Sequence, residues 1–389
     1  MSFRQAVSAP GSTPVRSIAG SADRGRSLHL VRAWLWAVAA CIFLMVVVGG
    51  ATRLTQSGLS ITEWKPVVGV LPPLGQEAWQ AEFDRYKLIP QYAKLFPDMD
   101  LAGFKSIFYW EWAHRLLGRI IGIVVAVPLI GFWITGRLTP GLKPRLVGLF
   151  ALGGLQGLIG WFMVKSGLSE RTEVSQYFLA LHLVTASITF VWAIWLAEGL
   201  RPSPPTRANP ARQRLRATAG LIVGAVLLQV GLGALVAGLH AGLTYNSWPL
   251  MDGHLVPPLA DLARQSPLWS NLFENVTTVQ FDHRAMAYLV LGLALYHTAD
   301  SARFAPGTAA ARRAVFLLVG VTAQAAIGVT TLLLVVPLWA ALLHQAFAMA
   351  VLGTAVLHRR RLGAPVLRVV QAVPAAPSVP DPASTTFPG

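Results

Sequence analysis

Four histidines form a doubled pattern, in which each one begins or enters a long apolar segment. They are His114 and His182 in the first half of the chain, and His283 and His344 in the second. A neutral imidazole inside a bundle of membrane helices is the usual axial ligand of haem iron. The pattern therefore predicts two haem sites, one between His114 and His182 and one between His283 and His344.

The segments around these histidines repeat in the same order in both halves. SGLSITEWKP from Ser57 matches AGLTYNSWPL from Ala241, and the tryptophan lies six positions after the glycine in each. HRLLGR matches HRAMAY, QGLIG matches QAAIG, and LALH matches ALLH. Four matches in one order are hard to obtain by chance, so the sequence predicts an internal duplication.

Arginines follow the first histidine of each pair directly. Arg115 and Arg284 are candidates for binding haem propionates, because the guanidinium fork suits a carboxylate. The alternative is an arginine that extends to the membrane interface. Arg53 and Arg119 are weaker candidates for the same role.

Glu111 breaks the symmetry between the halves. It lies three residues before His114, on the same face of a helix, whereas Gln280 takes that place before His283. A partly buried carboxylate beside a haem can act as a general base, relay protons or stabilise a developing cation. The alternative is a solvated glutamate in a first helical turn.

His297 and His358 each lie fourteen residues beyond a histidine of the second pair, about 21 Å along a helix. This interval resembles the stacked haems of respiratory cytochromes b, so a third haem is an open alternative. Against it, His358 adjoins three arginines, and the first half has Pro128 and Leu196 at the matching positions. We expect the remaining histidines in loops or at the membrane interface: His29, His240 and His254.

The composition is that of a membrane protein, because 54% of the 389 residues are hydrophobic and 13% are charged. Eight stretches are long enough to cross a hydrocarbon core as helices. They are 33–52, 113–135, 145–164, 177–198, 216–237, 284–302, 313–333 and 337–357. An even number of spans places both termini on one side.

The distribution of charge predicts which side that is. The net charge is +15, but the basic residues lie in short connections and tails, which is typical of topology control and excludes a nucleic-acid-binding face. Both termini are therefore expected in the cytoplasm. The two long connections, 53–112 and 238–282, are expected outside, with a surface helix from Glu77 in the first.

The predicted fold is an all-α membrane protein of two pseudo-symmetric four-helix bundles, related by an axis along the membrane normal. The single cysteine, Cys41, excludes an intramolecular disulfide. The expected segments are a disordered cytoplasmic tail (1–30), the N-terminal bundle (31–200), a cytoplasmic linker (201–215), the C-terminal bundle (216–360) and a disordered tail (361–389).

Over about residues 30–358 the chain resembles the haem A synthase family, in its cysteine-poor branch of mitochondria and alphaproteobacteria. Four segments carry the resemblance: GGATRLTQSGLSITEWKP from Gly49, FKSIFYWEWAHRLLGR from Phe104, AGLTYNSWPLMDG from Ala241 and QFDHRAMAY from Gln280. The sequence departs from the family at Gln91 and Tyr109, where glutamate and tryptophan are expected, and it lacks the cysteine pair of the bacillus-type branch.

The resemblance implies that haem O is converted to haem A, by successive hydroxylations of a ring methyl group to a formyl group for cytochrome oxidase assembly. It implies that His283 and His344 bind haem b and that His114 and His182 bind the substrate haem. Glu111 corresponds to a glutamate implicated in the function of the family. The implied location is the bacterial inner membrane, and the partners are lipid and haem O, with haem O synthase, an electron acceptor or donor and a second copy left open.

Two other classes of function are considered. A bis-haem cytochrome b would pass electrons between quinol and a partner, with both haems unmodified. A transporter built from parallel repeats would place ionisable residues near the bilayer midplane, and the sequence has almost none there.

Overall fold

The computed structural model describes residues 16–64, 68–202 and 210–363, and the described side chains begin at residue 25. The predicted tails and linker therefore lie partly outside it, at 1–15, 364–389 and 203–209. In the described ranges the regular structure is helical, apart from one isolated bridge between Met251 and His254. The prediction of an all-α fold is confirmed for these ranges.

Eight long helices dominate the described residues, and each overlaps one predicted span. They are α1 (Arg16–Leu54), α2 (Leu101–Ile134), α3 (Lys143–Lys165), α4 (Gln176–Gly199), α5 (Pro210–Gly238), α6 (Val276–Phe304), α7 (Ala309–Leu333) and α8 (Leu338–Arg361). All except α8 begin before their predicted spans. Two begin inside segments that were predicted to be irregular, because α1 begins in the segment assigned to a disordered tail and α5 in the segment assigned to a linker.

Among the described residues, seven of these helices are long and apolar enough to cross a membrane, and α6 is the exception. The reason is visible in its sequence, since α6 has Asp282 and Arg284 near its first end and Asp300 and Arg303 near its last. The qualifying part of α1 is Gly25–Leu54. The structure thus contains seven candidate spans where eight were predicted.

The helices of each half pack as a ring of four. In the first half, α1 contacts α2, α2 contacts α3, α3 contacts α4, and α4 contacts α1. The second half repeats this order with α5, α6, α7 and α8. The halves meet where α1 packs on α8, α4 on α5, and α4 on α8. The contact of α1 with α8 and the contact of α5 with α4 correspond to each other in the duplication, and α4 and α8 are themselves corresponding helices.

The two ends of this assembly differ in chemistry. One end has the two long connections, and we call it the long-loop end. At the other, which we call the arginine end, the buried Glu198 at the end of α4 contacts Arg361 at 2.8 Å, Arg201 at 3.3 Å and Arg32 at 3.6 Å. Three arginines around one carboxylate tie the ends of α4 and α8 to Arg32 of α1.

Side-chain caps fix where several helices begin. The Asp100 side chain accepts a hydrogen bond from the Gly103 amide at 2.8 Å, and the Asn275 side chain accepts one from the Thr277 amide at 3.0 Å. These caps start α2 and α6 well before the histidines that the two helices position. His114 and His283 consequently lie inside regular helices, 13 residues after the start of α2 and seven residues after the start of α6.

The first long connection folds onto the start of α2. Its helix Gln76–Lys87 confirms the helix predicted from Glu77, and helix Pro90–Leu95 follows it. Tyr86, Phe83 and Trp79 of the first helix are buried against Phe104 and Phe108 of α2. Burying so many aromatic rings gives the connection its own small apolar core, which holds it over the long-loop end of the first ring.

Candidate functional site

The structure brings together the histidines that the sequence paired. His283 on α6 and His344 on α8 face each other with ring centroids 6.4 Å apart and planes inclined by 75°. His114 on α2 and His182 on α4 lie close enough to interact electrostatically. Each pair therefore joins the second and fourth helices of its own ring.

The separation of the second pair fits a shared metal ion. Metal–imidazole bonds of about 2.0 Å, with ring centres about 1.1 Å behind each nitrogen, put two ring centres about 6.2 Å apart in a linear arrangement. The spacing between His283 and His344 is close to this value. In the described part of the chain, no group of three or more His, Cys, Asp or Glu residues could hold a metal ion. Two imidazoles alone suit an iron whose remaining four ligands come from a porphyrin.

A glycine lies beside every one of these imidazoles, on the helix that precedes the histidine helix. A Cβ atom built on each glycine would meet the ring at 2.7 to 3.2 Å, closer than side chains normally approach. The pairs are Gly49 with His114, Gly160 with His182, Gly233 with His283, and Gly328 with His344. Sequence reasoning missed these glycines, although their register repeats between the halves.

Glu111 is buried, at 3% exposure, one turn before His114. Its Oε1 accepts a hydrogen bond from Arg115 Nε at 2.7 Å. The matching Gln280 is equally buried but donates from its amide to the carbonyls of Ala241 at 2.9 Å and Tyr245 at 3.2 Å. The asymmetry predicted from the sequence is therefore an asymmetry of buried groups, with an ion pair in one half and a neutral amide in the other.

Arg115 and Arg284 tie the long connections to the helices. Arg115 donates to the carbonyls of Glu63 at 2.9 Å and Ile61 at 2.7 Å. Arg284 donates to the carbonyls of Ser247 at 2.9 Å and Tyr245 at 2.8 Å. The two guanidinium groups thus make equivalent loop contacts, and binding of propionates by them stays a prediction.

Arg53, a weaker candidate for binding a propionate, contacts Glu173 and His240, and the propionate role stays a prediction. It donates to Glu173 Oε2 at 2.8 Å and lies 2.9 Å from His240 Nε2, which is itself 2.6 Å from Glu173. The contact joins the end of α1, the connection before α4 and the second residue after α5 at the long-loop end. Arg119, the other weaker candidate, lies one turn beyond Arg115 on α2.

Glu173 is ionised at neutral pH in this cluster. Burial by itself would raise the pKa of Glu173, but the hydrogen bond with His240 and the charges of Arg53 and His240 outweigh it and lower the pKa. No sequence pattern pointed to Glu173, because its partners Arg53 and His240 lie 120 and 67 positions away along the chain.

His297 and His358 are fully buried and in direct contact near the arginine end. Their Nε2 atoms are 2.7 Å apart, and the Nδ1 of His297 is hydrogen-bonded to the Thr218 hydroxyl at 2.7 Å. This distance leaves no space for an iron between the rings, so the alternative of a third haem at this pair is not supported.

Comparison with known proteins bears on the same regions. Residues 32–356 match the family of cytochrome oxidase assembly proteins (COX15-CtaA). The chain is 57% identical over 357 residues to the heme A synthase of Beijerinckia indica subsp. indica, covering 92% of this chain and 99% of that protein. It is 55% identical to the heme A synthases of Brucella anthropi, covering 87% of this chain and 94% of that protein, and Brucella ovis, covering 88% and 94%.

These matches extend over both rings of helices and include all four histidines. They confirm the predicted family and give no support to the electron-carrier alternative, while the assignment to its cysteine-poor branch stays a prediction. The chain therefore belongs to the haem A synthase family of cytochrome oxidase assembly proteins.

Proposed function

We propose that this chain is a multi-pass membrane enzyme that oxidises the ring methyl group of haem O to the formyl group of haem A. The observation that carries the proposal is the presence of two histidine pairs, each built on the second and fourth helices of its ring, in a chain 57% identical to a heme A synthase. Two pairs provide for one porphyrin that is oxidised and one that accepts electrons.

The two halves are assigned different porphyrins. His283 and His344 would hold haem b as a resident cofactor, and the chemistry it supplies when bound is the acceptance of electrons. His114 and His182 would hold the substrate haem O. The support for this division is Glu111, since the only buried carboxylate one turn from a paired histidine in the described residues lies in the first half.

Glu111 is proposed to act on the substrate directly. Its carboxylate is held by Arg115, and it would take up protons or stabilise positive charge that develops on the methyl carbon before water attacks. The ion pair with Arg115 orients the carboxylate, and the buried position strengthens its electrostatic effect. A neutral amide, as at Gln280, could do neither.

The membrane arrangement is proposed from the packing and the charges. Although α6 is too polar to count among the seven candidate spans, it packs between α5 and α7, both of which are candidates. We assign it as the eighth span, which puts both termini on one side. The basic arginine end would then face the cytoplasm of a bacterial inner membrane. Residues 31–200 and 216–360 would form the two bundles.

Some partners rest on the family alone. Haem O synthase would deliver the substrate, an electron acceptor or donor would exchange electrons with haem b, and lipid would surround the bundle. Self-association is a further expectation. We expect no nucleic-acid partner.

The test is expression in a host that makes haem O but no haem A, followed by chromatography of the extracted pigments. We expect haem A from the wild-type chain and from the control Gly157→Ala, whose Cβ would meet no atom within 4 Å. His114→Ala and His182→Ala should abolish it. Recovery of haem b and haem O only, from a well-expressed wild-type chain, would contradict the proposal and favour a bis-haem electron carrier.

A further inference from the structure

Three glutamines stand one turn before three of the glycines that seat the imidazoles. Gln156, Gln229 and Gln324 each precede such a glycine by four residues, so that both side-chain positions lie on one helix face. Each amide Nε2 donates to the backbone carbonyl of the facing histidine, at 2.8 to 3.0 Å. A Gln-x-x-x-Gly unit on one helix thus contacts both the backbone and the ring of a histidine on the next.

The amides also lie at the rings. Nε2 of Gln229 is 3.1 Å from Nδ1 and 3.3 Å from Nε2 of His283, and Nε2 of Gln324 is 3.1 Å from Nδ1 and 3.5 Å from Nε2 of His344, so each amide nitrogen lies against the imidazole and close to both ring nitrogens. The amide oxygens of all three glutamines are buried and make no hydrogen bond, and the same holds for Nδ1 of His182. Unused acceptors therefore lie on residues that already bind the backbone of the ligand histidines.

An iron-bound imidazole needs such an acceptor. When Nε2 of a histidine binds the metal, Nδ1 carries the proton, and a hydrogen bond from Nδ1 fixes the ring and makes it a stronger ligand. Oε1 belongs to the same amide group as Nε2, so a shift of the glutamine side chain that keeps the hydrogen bond from Nε2 to the histidine carbonyl can bring Oε1 toward the Nδ1–H group. The orphaned oxygens then gain the partner they lack.

The fourth unit is different. The position four residues before Gly49 is Met45, whose Cε would lie 3.3 Å from a Cβ on Gly118, one turn beyond His114. A thioether cannot donate to a carbonyl and is only a weak acceptor. Within the described ranges, no hydrogen bond from another side chain reaches His114. Its ring therefore lies against Gly49 but has no glutamine amide bonded to it.

We propose that the Gln-x-x-x-Gly units hold and tune the ligand histidines, and that Met45 makes His114 the most loosely held ligand, at the pair where the substrate porphyrin must enter and leave. This inference rests on the proposed function, because it assumes a resident porphyrin at one pair and an exchanging porphyrin at the other. The resident pair has two glutamines, Gln229 and Gln324, and the substrate pair has only Gln156.

Exchange of the two side chains tests the proposal. Purified chains with Gln229→Met, Met45→Gln and the packing control Met45→Leu are mixed with excess apomyoglobin, and the transfer of each porphyrin is followed by its absorption band. We expect Gln229→Met to weaken binding of the resident haem by about 10–100-fold, the usual effect of losing such a partner. Met45→Gln should slow release of the substrate porphyrin by a similar factor, and Met45→Leu should not.

Two readouts separate positioning from general damage. A misfolded variant loses both porphyrins alike, whereas we expect each change to affect its own half only. The midpoint potential of the resident haem should rise in Gln229→Met and fall in Gln229→Glu, because a stronger acceptor favours ferric iron. A tenfold change in the preference for ferric over ferrous iron equals about 59 mV.

Wild-type transfer rates and potentials in all of these variants would overturn the proposal. The proposed function would survive that result as long as His283→Ala still removed the resident haem band and the wild-type chain still made haem A. Conversely, a chain that binds no porphyrin at all would contradict the proposed function, and this inference would fall with it.

Discussion

Replacement of Glu111 by glutamine separates its chemical role from its structural role, because the second half already contains the replacement. Gln280 occupies the matching position, buried to the same extent, and its Oε1 lies 3.4 Å from Arg284 Nη2. Glu111→Gln therefore converts one half into a copy of the other at this position, and the fold accommodates an amide there.

The structural cost can be worked from the contacts. Breaking a buried ion pair by removing one partner costs about 3–5 kcal/mol when the remaining charge is left alone. Arg115 would not be left alone, since it also donates to the carbonyls of Glu63 and Ile61. The loss is then closer to that of one charge-assisted hydrogen bond, about 1.5–3 kcal/mol. Removal of general acid–base catalysis, in contrast, lowers the rate by about 10²–10⁴-fold.

The assay compares pigments and optical spectra of Glu111→Gln, the reciprocal control Gln280→Glu and the wild type. We expect Glu111→Gln to keep both porphyrins and to form little or no haem A. Gln280→Glu adds a carboxylate next to Arg284, whose buried Nε makes no hydrogen bond, and should leave the yield of haem A near wild type. A normal haem A yield from Glu111→Gln would refute the catalytic role.

Three further changes address the scaffold. Gly328→Ala places a Cβ 2.7 Å from the His344 imidazole, so it should lower the free energy of unfolding by about 1–3 kcal/mol and change the haem absorption spectrum. The control Gly320→Ala, whose Cβ would have its nearest atom at 3.7 Å, should change neither. Glu173→Gln should lower the melting temperature at neutral pH; because folding lowers the pKa of Glu173, the difference from wild type should vanish as the pH falls through that lowered pKa. His358→Ala should leave haem content unchanged in extracted pigments, since its contact with His297 has no room for iron; a lost haem would contradict this.

The departures from symmetry converge on one histidine. Glu111 lies one turn before His114 on α2, and Met45 lies on the facing helix one turn before the glycine that seats the ring. The corresponding residues around His283 are Gln280 and Gln229, both neutral amides. The two halves of the duplicated bundle thus differ around His114, where the substrate porphyrin would have to react and be released.

The sequence by itself determined the helical class, the duplication and the pairing of the histidines. These features depend on short-range patterns, namely apolar runs of bilayer length and motifs that recur in one order, which need no knowledge of packing. The same patterns exposed the difference between Glu111 and Gln280, because the positions before His114 and His283 can be compared directly.

Only the tertiary structure decided which groups from different helices meet. The pairing of Gln229 and Gly233 with His283, and the cluster of Arg53 with Glu173, join residues that are distant in sequence, and glycine or glutamine in an apolar helix has no distinctive local signal. The structure also bears on His297 and His358: the helical spacing suited a third haem, but the two rings are in direct contact. Interhelical distance is set by side-chain packing, which one-dimensional spacing does not contain.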